Sequence, residues 1–170
     1  FGTIQVGPIF LENRYTDWKR YWPHHTLRNL WSLSSYVDPV RLRMEFLNQV
    51  RNAEKYGDDP LAPAQYPPDT LFASVMFSSP LGWFETSNLP DNYFKTIPPL
   101  VNAWKKEREA IFSGHIIPIG KAPDGYVWTG FSSTSKDRKS ARVVVFRELN
   151  HQETWSTNIP LLKNKNAKVT

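Results

Sequence analysis

The sequence predicts an α/β region followed by an all-β region, and three observations carry that expectation. Up to Gly114, apolar strand-like runs alternate with helix-like ones. Beyond Gly114 nothing helical remains, and short alternating runs are separated by turn signals. With 170 residues, 40% hydrophobic and 22% charged, the chain can bury a core and lies outside the disordered range.

The elements follow in order. Residues 3–11 (TIQVGPIFL) form an apolar run interrupted by Gly7-Pro8 and read as an irregular strand. Residues 24–37 carry Leu27, Leu30, Trp31 and Ser34 at helical spacing, with Pro23 ahead as a helix starter, until Asp38-Pro39 breaks the pattern. In residues 40–46, Val40, Leu42, Met44 and Phe46 alternate with Arg41, Arg43 and Glu45. That period of two predicts a strand. Residues 52–68 form a Pro-, Asp- and Gly-rich loop, longer than most connections and so of functional interest. Residues 69–78 read as a buried helix stopped by Pro80, and residues 81–85 as a short strand. A helix starts near residue 88, with Tyr93, Phe94 and Ile97 on its apolar face. Pro98-Pro99 restarts the chain into a second helix over 100–112, closed by Gly114.

This βα order belongs to a parallel sheet or a barrel, and about three units are too few to close an eight-stranded barrel. In the second half the expected strands are 115–119, 126–132, 141–147 and 154–161, with a tight turn at Asp124-Gly125. The run ARVVVF at 141–146 suits a central strand buried on both faces. The resulting division is 1–114 α/β, 115–163 antiparallel β and 164–170 a frayed tail.

Composition narrows the function. Without cysteine there is no disulfide framework, thiolate metal site or Cys nucleophile. No apolar run approaches the roughly 20 residues that span a bilayer, so no membrane partner is expected. Phe1-Gly2-Thr3 is neither an initiator Met nor a basic leader, and a chain opening in a strand-like run reads as the interior or tail of something longer. The net charge of +5 is spread along the chain without a five-residue basic run, which argues for a solvated surface and against a nucleic-acid partner.

The densest constellation is Glu12-Asn13-Arg14-Tyr15-Thr16-Asp17-Trp18, just past the first strand. In a βα barrel the C-terminal strand ends carry catalysis. A carboxylate among Tyr15, Trp18, Tyr21 and Trp22 sits where burial raises its pKa, as a general acid requires. Aromatic faces beside carboxylate and guanidinium groups also suit sugar recognition. The alternative is a structural ion pair between Asp17 and Arg14. Asn48 and Glu85 end two further strands, where each either faces the same mouth or serves as a loop hydrogen-bonder. His24-His25 points apart on a helix and favours a capping or hydrogen-bonding role over a metal site.

Several stretches together resemble the retaining α-galactosidases of the melibiase type (glycoside hydrolase families 36 and 27). They are YWPHHTLRNLW at 21–31, DTLFASVMFSSP at 69–80, LGWFE at 81–85, LPDNYF at 89–94 and VNAWKKEREAIFSG at 101–114. Their order carries the resemblance. It implies the C-terminal part of a (β/α)8 barrel, with about three βα units over 1–114, followed by a small antiparallel β-sandwich over 115–163. In place and order Arg14 and Asp17 match the family's sugar-binding Arg and its general acid, with Glu12 as the alternative acid. Trp18 and Asn48 would complete the substrate contacts. The nucleophile would lie upstream, so this chain alone would be inactive. The implied substrate is an oligosaccharide or other terminal α-galactoside, with no cofactor and no metal. The implied compartment is periplasmic or secreted, with the cytoplasm as alternative. A different class of function, a non-catalytic carbohydrate-binding β-module, would instead use exposed aromatics such as Trp128 and Trp155.

Overall fold

A computed structural model describes residues 7–10, 22–46, 48–50, 53–82, 87, 89–163, 166 and 168–169. Helices and strands are mixed, in two open sheets. The first comprises β1 (Ile9–Phe10), β2 (Leu42–Phe46) and β3 (Ser79–Gly82), all parallel and in chain order. Helix α1 (Pro23–Leu33) connects β1 to β2. Two short helices, α2 (Ala53–Tyr56) and α3 (Pro68–Ala73), lie between β2 and β3. The long α4 (Asp91–Ser113) follows β3. The second sheet is antiparallel, ordered β4 (His115–Gly120), β5 (Trp128–Thr134), β6 (Ala141–Arg147).

The period of two in β2 has the expected result on one face. Leu42, Met44 and Phe46 are buried among Leu27 and Leu30 of α1, Phe72 of α3 and Tyr93 of α4. The other face carries Arg43, exposed, and Glu45, buried. Edge-on aromatic contacts tie the layers: Phe46 to Phe72 at 5.5 Å and Phe72 to Trp104 at 6.0 Å. The Trp104 indole N–H donates to the Met76 carbonyl at 2.8 Å, holding α4 over the turn that follows α3.

One apolar core runs through both halves. Phe77 stacks on Phe131 of β5 at 6.1 Å, and Phe131 and Phe146 belong to the same buried cluster as the helix residues. Polar contacts reinforce the seam. Arg28 Nε donates to the Pro123 carbonyl at 2.7 Å, and the Ser133 hydroxyl donates to the Ile111 carbonyl at the end of α4 at 2.6 Å.

Several expected elements differ. Residues 154–161 form no strand. They belong to an irregular strap over the outer face of the antiparallel sheet, where Trp155 stacks on Trp128 and the Thr134 hydroxyl donates to the Pro160 carbonyl at 2.7 Å. The run at 141–147 is an edge strand rather than the central one, and Val143 and Val145 are 43% and 42% exposed. The polar β5 is central, and every residue from Thr129 to Thr134 is buried. The two helices expected around Pro98-Pro99 are one helix of 23 residues. Both prolines lie on its exposed side, so their missing N–H groups leave no unpaired carbonyl sealed in the core. Flanking Ile97, Leu100, Val101 and Trp104 pack on the core and keep the two segments aligned. The expected 69–78 helix begins at Pro68 and ends at Ala73, followed by turns. Pro80 lies within β3 rather than ahead of it. The 24–37 helix ends at Leu33, and the 52–68 loop contains α2 and a 3-10 turn at Pro63–Gln65.

Candidate functional site

All three parallel strands run the same way, so their C-terminal ends share one edge of the sheet. The chain leaves β1 there into residues 11–21, β2 into 47–52 and β3 into 83–86. Glu12, Arg14, Asp17 and Trp18, with Glu85 and Trp83, lie outside the described residues. Asn48 is described. It sits two residues past β2, is 6% exposed, and its Oδ1 accepts from the Val50 N–H at 3.0 Å. That bond is the loop-turning role expected of asparagine, and it fixes the backbone where the strand exits.

The neighbouring connections pack against each other. Trp22, the last residue before α1, is 5% exposed and meets Tyr56 of α2 edge-on at 5.6 Å. Gln49 donates through its side-chain amide to the Tyr66 carbonyl at 2.7 Å. The aromatic pair thus joins the connections after β1 and β2, and the amide tether closes the β2–β3 connection on itself.

The histidine pair divides its labour as the sequence suggested for one member only. His25 Nδ1 accepts from the Trp22 N–H at 3.0 Å and caps the start of α1. Burial, then the nearby Arg28 guanidinium, holds its pKa below the ordinary histidine value, which keeps the acceptor lone pair available. His24 is 6% exposed, and its Nδ1 has no hydrogen-bond partner among the described residues. No group of three or more His, Cys, Asp or Glu side chains among the described residues has the arrangement of a metal site.

Glu45 was counted from the sequence as one polar member of an alternating strand. It is 6% exposed, one residue before the end of β2 and on the face opposite the helix-packed core. The signal was available: the same period of two that sends Leu42, Met44 and Phe46 to the helices sends Glu45 to the other face near the strand-end edge. A buried carboxylate there is a candidate the sequence reading passed over.

The aromatics of the alternative module are placed differently. Trp128 and Trp155 stack on each other at 5.9 Å, and the Trp128 N–H donates to the Gln152 carbonyl at 3.0 Å. Their broad faces are turned to one another rather than laid side by side as a platform. No helix among the described residues is long and apolar enough to cross a membrane. No protein-family model, curated protein or solved structure matches the chain.

Proposed function

We infer that this chain is the C-terminal part of a retaining glycoside hydrolase of the α-galactosidase type, acting on terminal α-galactosides, with its acid/base in the segment after β1. The observation that carries this reading is the parallel sheet in chain order β1-β2-β3. Sequential parallel strands linked by helices are the repeating unit of a (β/α)8 barrel. In that arrangement catalytic groups sit at the C-terminal strand ends, the edge from which the segment bearing Glu12, Arg14, Asp17 and Trp18 departs. The open three-stranded sheet would then be part of the barrel, and the antiparallel sheet one layer of the following β-sandwich. The buried Glu45 and the turn-forming Asn48 suit the inner wall and rim of such a barrel.

The chemistry follows from the requirement for two carboxyl groups about 5–5.5 Å apart in a retaining enzyme. One attacks the anomeric carbon and expels the aglycone. The other donates a proton to the leaving oxygen, then removes one from the incoming water. Asp17 takes the second role, with Arg14 and Trp18 holding the sugar and Glu12 as the alternative acid. The nucleophile belongs to residues preceding this sequence.

The test is kinetic. Full-length protein should release galactose from an aryl α-galactoside with retained configuration. Asp17→Asn should lower kcat by roughly two to four orders of magnitude, with a smaller loss on substrates whose leaving group needs no proton. Azide should restore turnover in Asp17→Gly. Undiminished activity in Asp17→Asn removes Asp17 from the mechanism, and inverted product removes the retaining class.

A further inference from the structure

The two edges of the antiparallel sheet are built differently. Two bonds extend the β5–β6 ladder at its ends, from the Ser135 N–H to the Ser140 carbonyl and from the Glu148 N–H to the Val127 carbonyl, and they fix its phase. Even-numbered residues of β6 therefore bond to β5, and the N–H and C=O groups of Ala141, Val143, Val145 and Arg147 point outward. Among the described residues no strand pairs with that edge. The Lys121 N–H to Trp128 carbonyl bond sets the phase of the β4–β5 ladder in the same way. There the outward positions are Ile116, Pro118 and Gly120, and Pro118 has no N–H to offer. So β4 blunts its edge with a proline, whereas β6 runs for seven residues without proline, glycine or bulge.

The side chains of β6 carry a matching asymmetry. Arg142, Val144 and Phe146 share the inner face, and Glu148 continues that row. The Arg142 side chain is 41% exposed and bonds to Glu107 through Nε alone at 3.1 Å, so its other guanidinium N–H groups remain. At the far end Glu148 Oε2 accepts from the backbone N–H groups of Asp124, Gly125 and Val127 at 3.2, 2.9 and 3.3 Å, while Oε1 accepts from none of the described residues. Glu148 lines a cleft of about 180 Å³ between the end of β6 and helices α1 and α3, so this end of the edge is not sealed. On the outer face Val143 and Val145 are both exposed.

We propose that two copies of this chain associate through β6, antiparallel about a two-fold axis at Val144, into one continuous six-stranded sheet. In that register Ala141 faces Arg147 of the second copy, Arg142 faces Phe146 and Val143 faces Val145. Every outward-pointing residue of one copy then meets an outward-pointing residue of the other, and any shifted register leaves some unpaired. The exposed valines of both copies cover one another. Arg142 lies diagonal to Glu148 of the second copy, within reach of a long side chain, so the positive start of each row meets the negative end of the other. The like charges brought near are Arg147 and Lys139 of the second copy, both exposed and screened by solvent. This interface does not depend on the glycosidase reading.

The test is the oligomeric state of the full-length protein. Sedimentation equilibrium should show a reversible monomer–dimer equilibrium. Val143→Pro removes an outward N–H that the sheet itself does not use, a change an edge strand accepts, and should weaken dimerisation by about tenfold or more while circular dichroism keeps the strand signal. Arg142→Gln should weaken it by roughly fivefold to tenfold. Glu107→Gln, which removes only the partner within one copy, should not weaken it. Val144→Cys should form an interchain disulfide on mild oxidation, because the axis sets the two residues 144 directly opposite at about 4.5 Å between Cα atoms. Val143→Cys should not, since its counterpart is diagonal and beyond about 7 Å. The parent protein, whose sequence here has no cysteine, gives the background. The proposal is overturned by a monomer at every concentration, by undiminished dimerisation in Val143→Pro, by equal weakening in Arg142→Gln and Glu107→Gln, or by equal cross-linking at 143 and 144.

Discussion

The parallel half has strands of 2, 5 and 4 residues, and helices supply most of its core. The antiparallel half has strands of 6, 7 and 7 residues, and two phenylalanines, Phe131 and Phe146, are its fully buried contribution to the shared core. In the first half burial follows side-chain polarity along most of β2: Leu42 and Met44 lie inside and Arg43 outside, with Glu45 the buried exception. In the second it follows place in the sheet. β5, with four hydroxylated side chains along WTGFSST, is central and covered on both faces, while VVV of β6 lies at the edge. A central strand has its backbone bonded on both sides. Small hydroxylated side chains then let a core layer and a strap approach closely, and the hydroxyls of Ser133 and Thr134 bond to a carbonyl of each.

Five changes break or sharpen this contrast. Phe131→Ala removes the ring that stacks on Phe77 across the seam and should cost about 3–5 kcal/mol in urea denaturation, with both halves still unfolding in one transition. Two separated transitions would show that the halves do not share one core. Acid should act next. The folded pKa of His24, about 4, lies below its ordinary value of 6.5, so the unfolded chain binds the proton more readily. Its contribution is complete above pH 6.5 and is lost as pH falls towards 4. The loss is on the order of 3 kcal/mol at most, read as the difference in pH dependence between the parent and His24→Gln.

Smaller effects separate the strands themselves. Gly130→Ala should destabilise by roughly 1–3 kcal/mol, because an added methyl would press on the Val144 carbonyl and open the β5–β6 ladder. Thr129 is fully buried and its hydroxyl has no partner among the described residues. Thr129→Val should therefore be neutral or stabilise by up to about 1 kcal/mol, and Val145→Thr at the exposed edge should change stability by less than about 0.5 kcal/mol. A large loss in Thr129→Val would mean that the hydroxyl is bonded in solution and that β5 depends on more than close packing.

The legible features were those that a short stretch of chain specifies alone. The period of two in 40–46, Pro23 at the start of α1 and Gly114 at the end of α4 each act within a few residues. The expected tight turn at Asp124-Gly125 is instead part of the longer connection over residues 121–127, where Gly125 takes a φ of +94°, which glycine adopts without steric cost. The polar and aromatic residues expected after the first strand lie outside the described residues. Asn48 took the loop role that was one of its two readings. What stayed hidden needed partners distant in the chain. The strap over β5 depends on Trp155 meeting Trp128, and the seam between the halves depends on Arg28 of α1 meeting Pro123 in the connection between β4 and β5.

The sequence by itself determined the start of α1 at Pro23, the end of α4 before Gly114 and the buried face of β2, because propensity, capping and periodicity are properties of neighbouring residues. Only the tertiary structure decided which antiparallel strand is central, that Pro98-Pro99 continues one helix, that Glu45 is buried and that His24 Nδ1 is buried without a partner among the described residues. Those outcomes depend on which surfaces exclude water from each other, and that is settled by contacts between residues far apart along the chain.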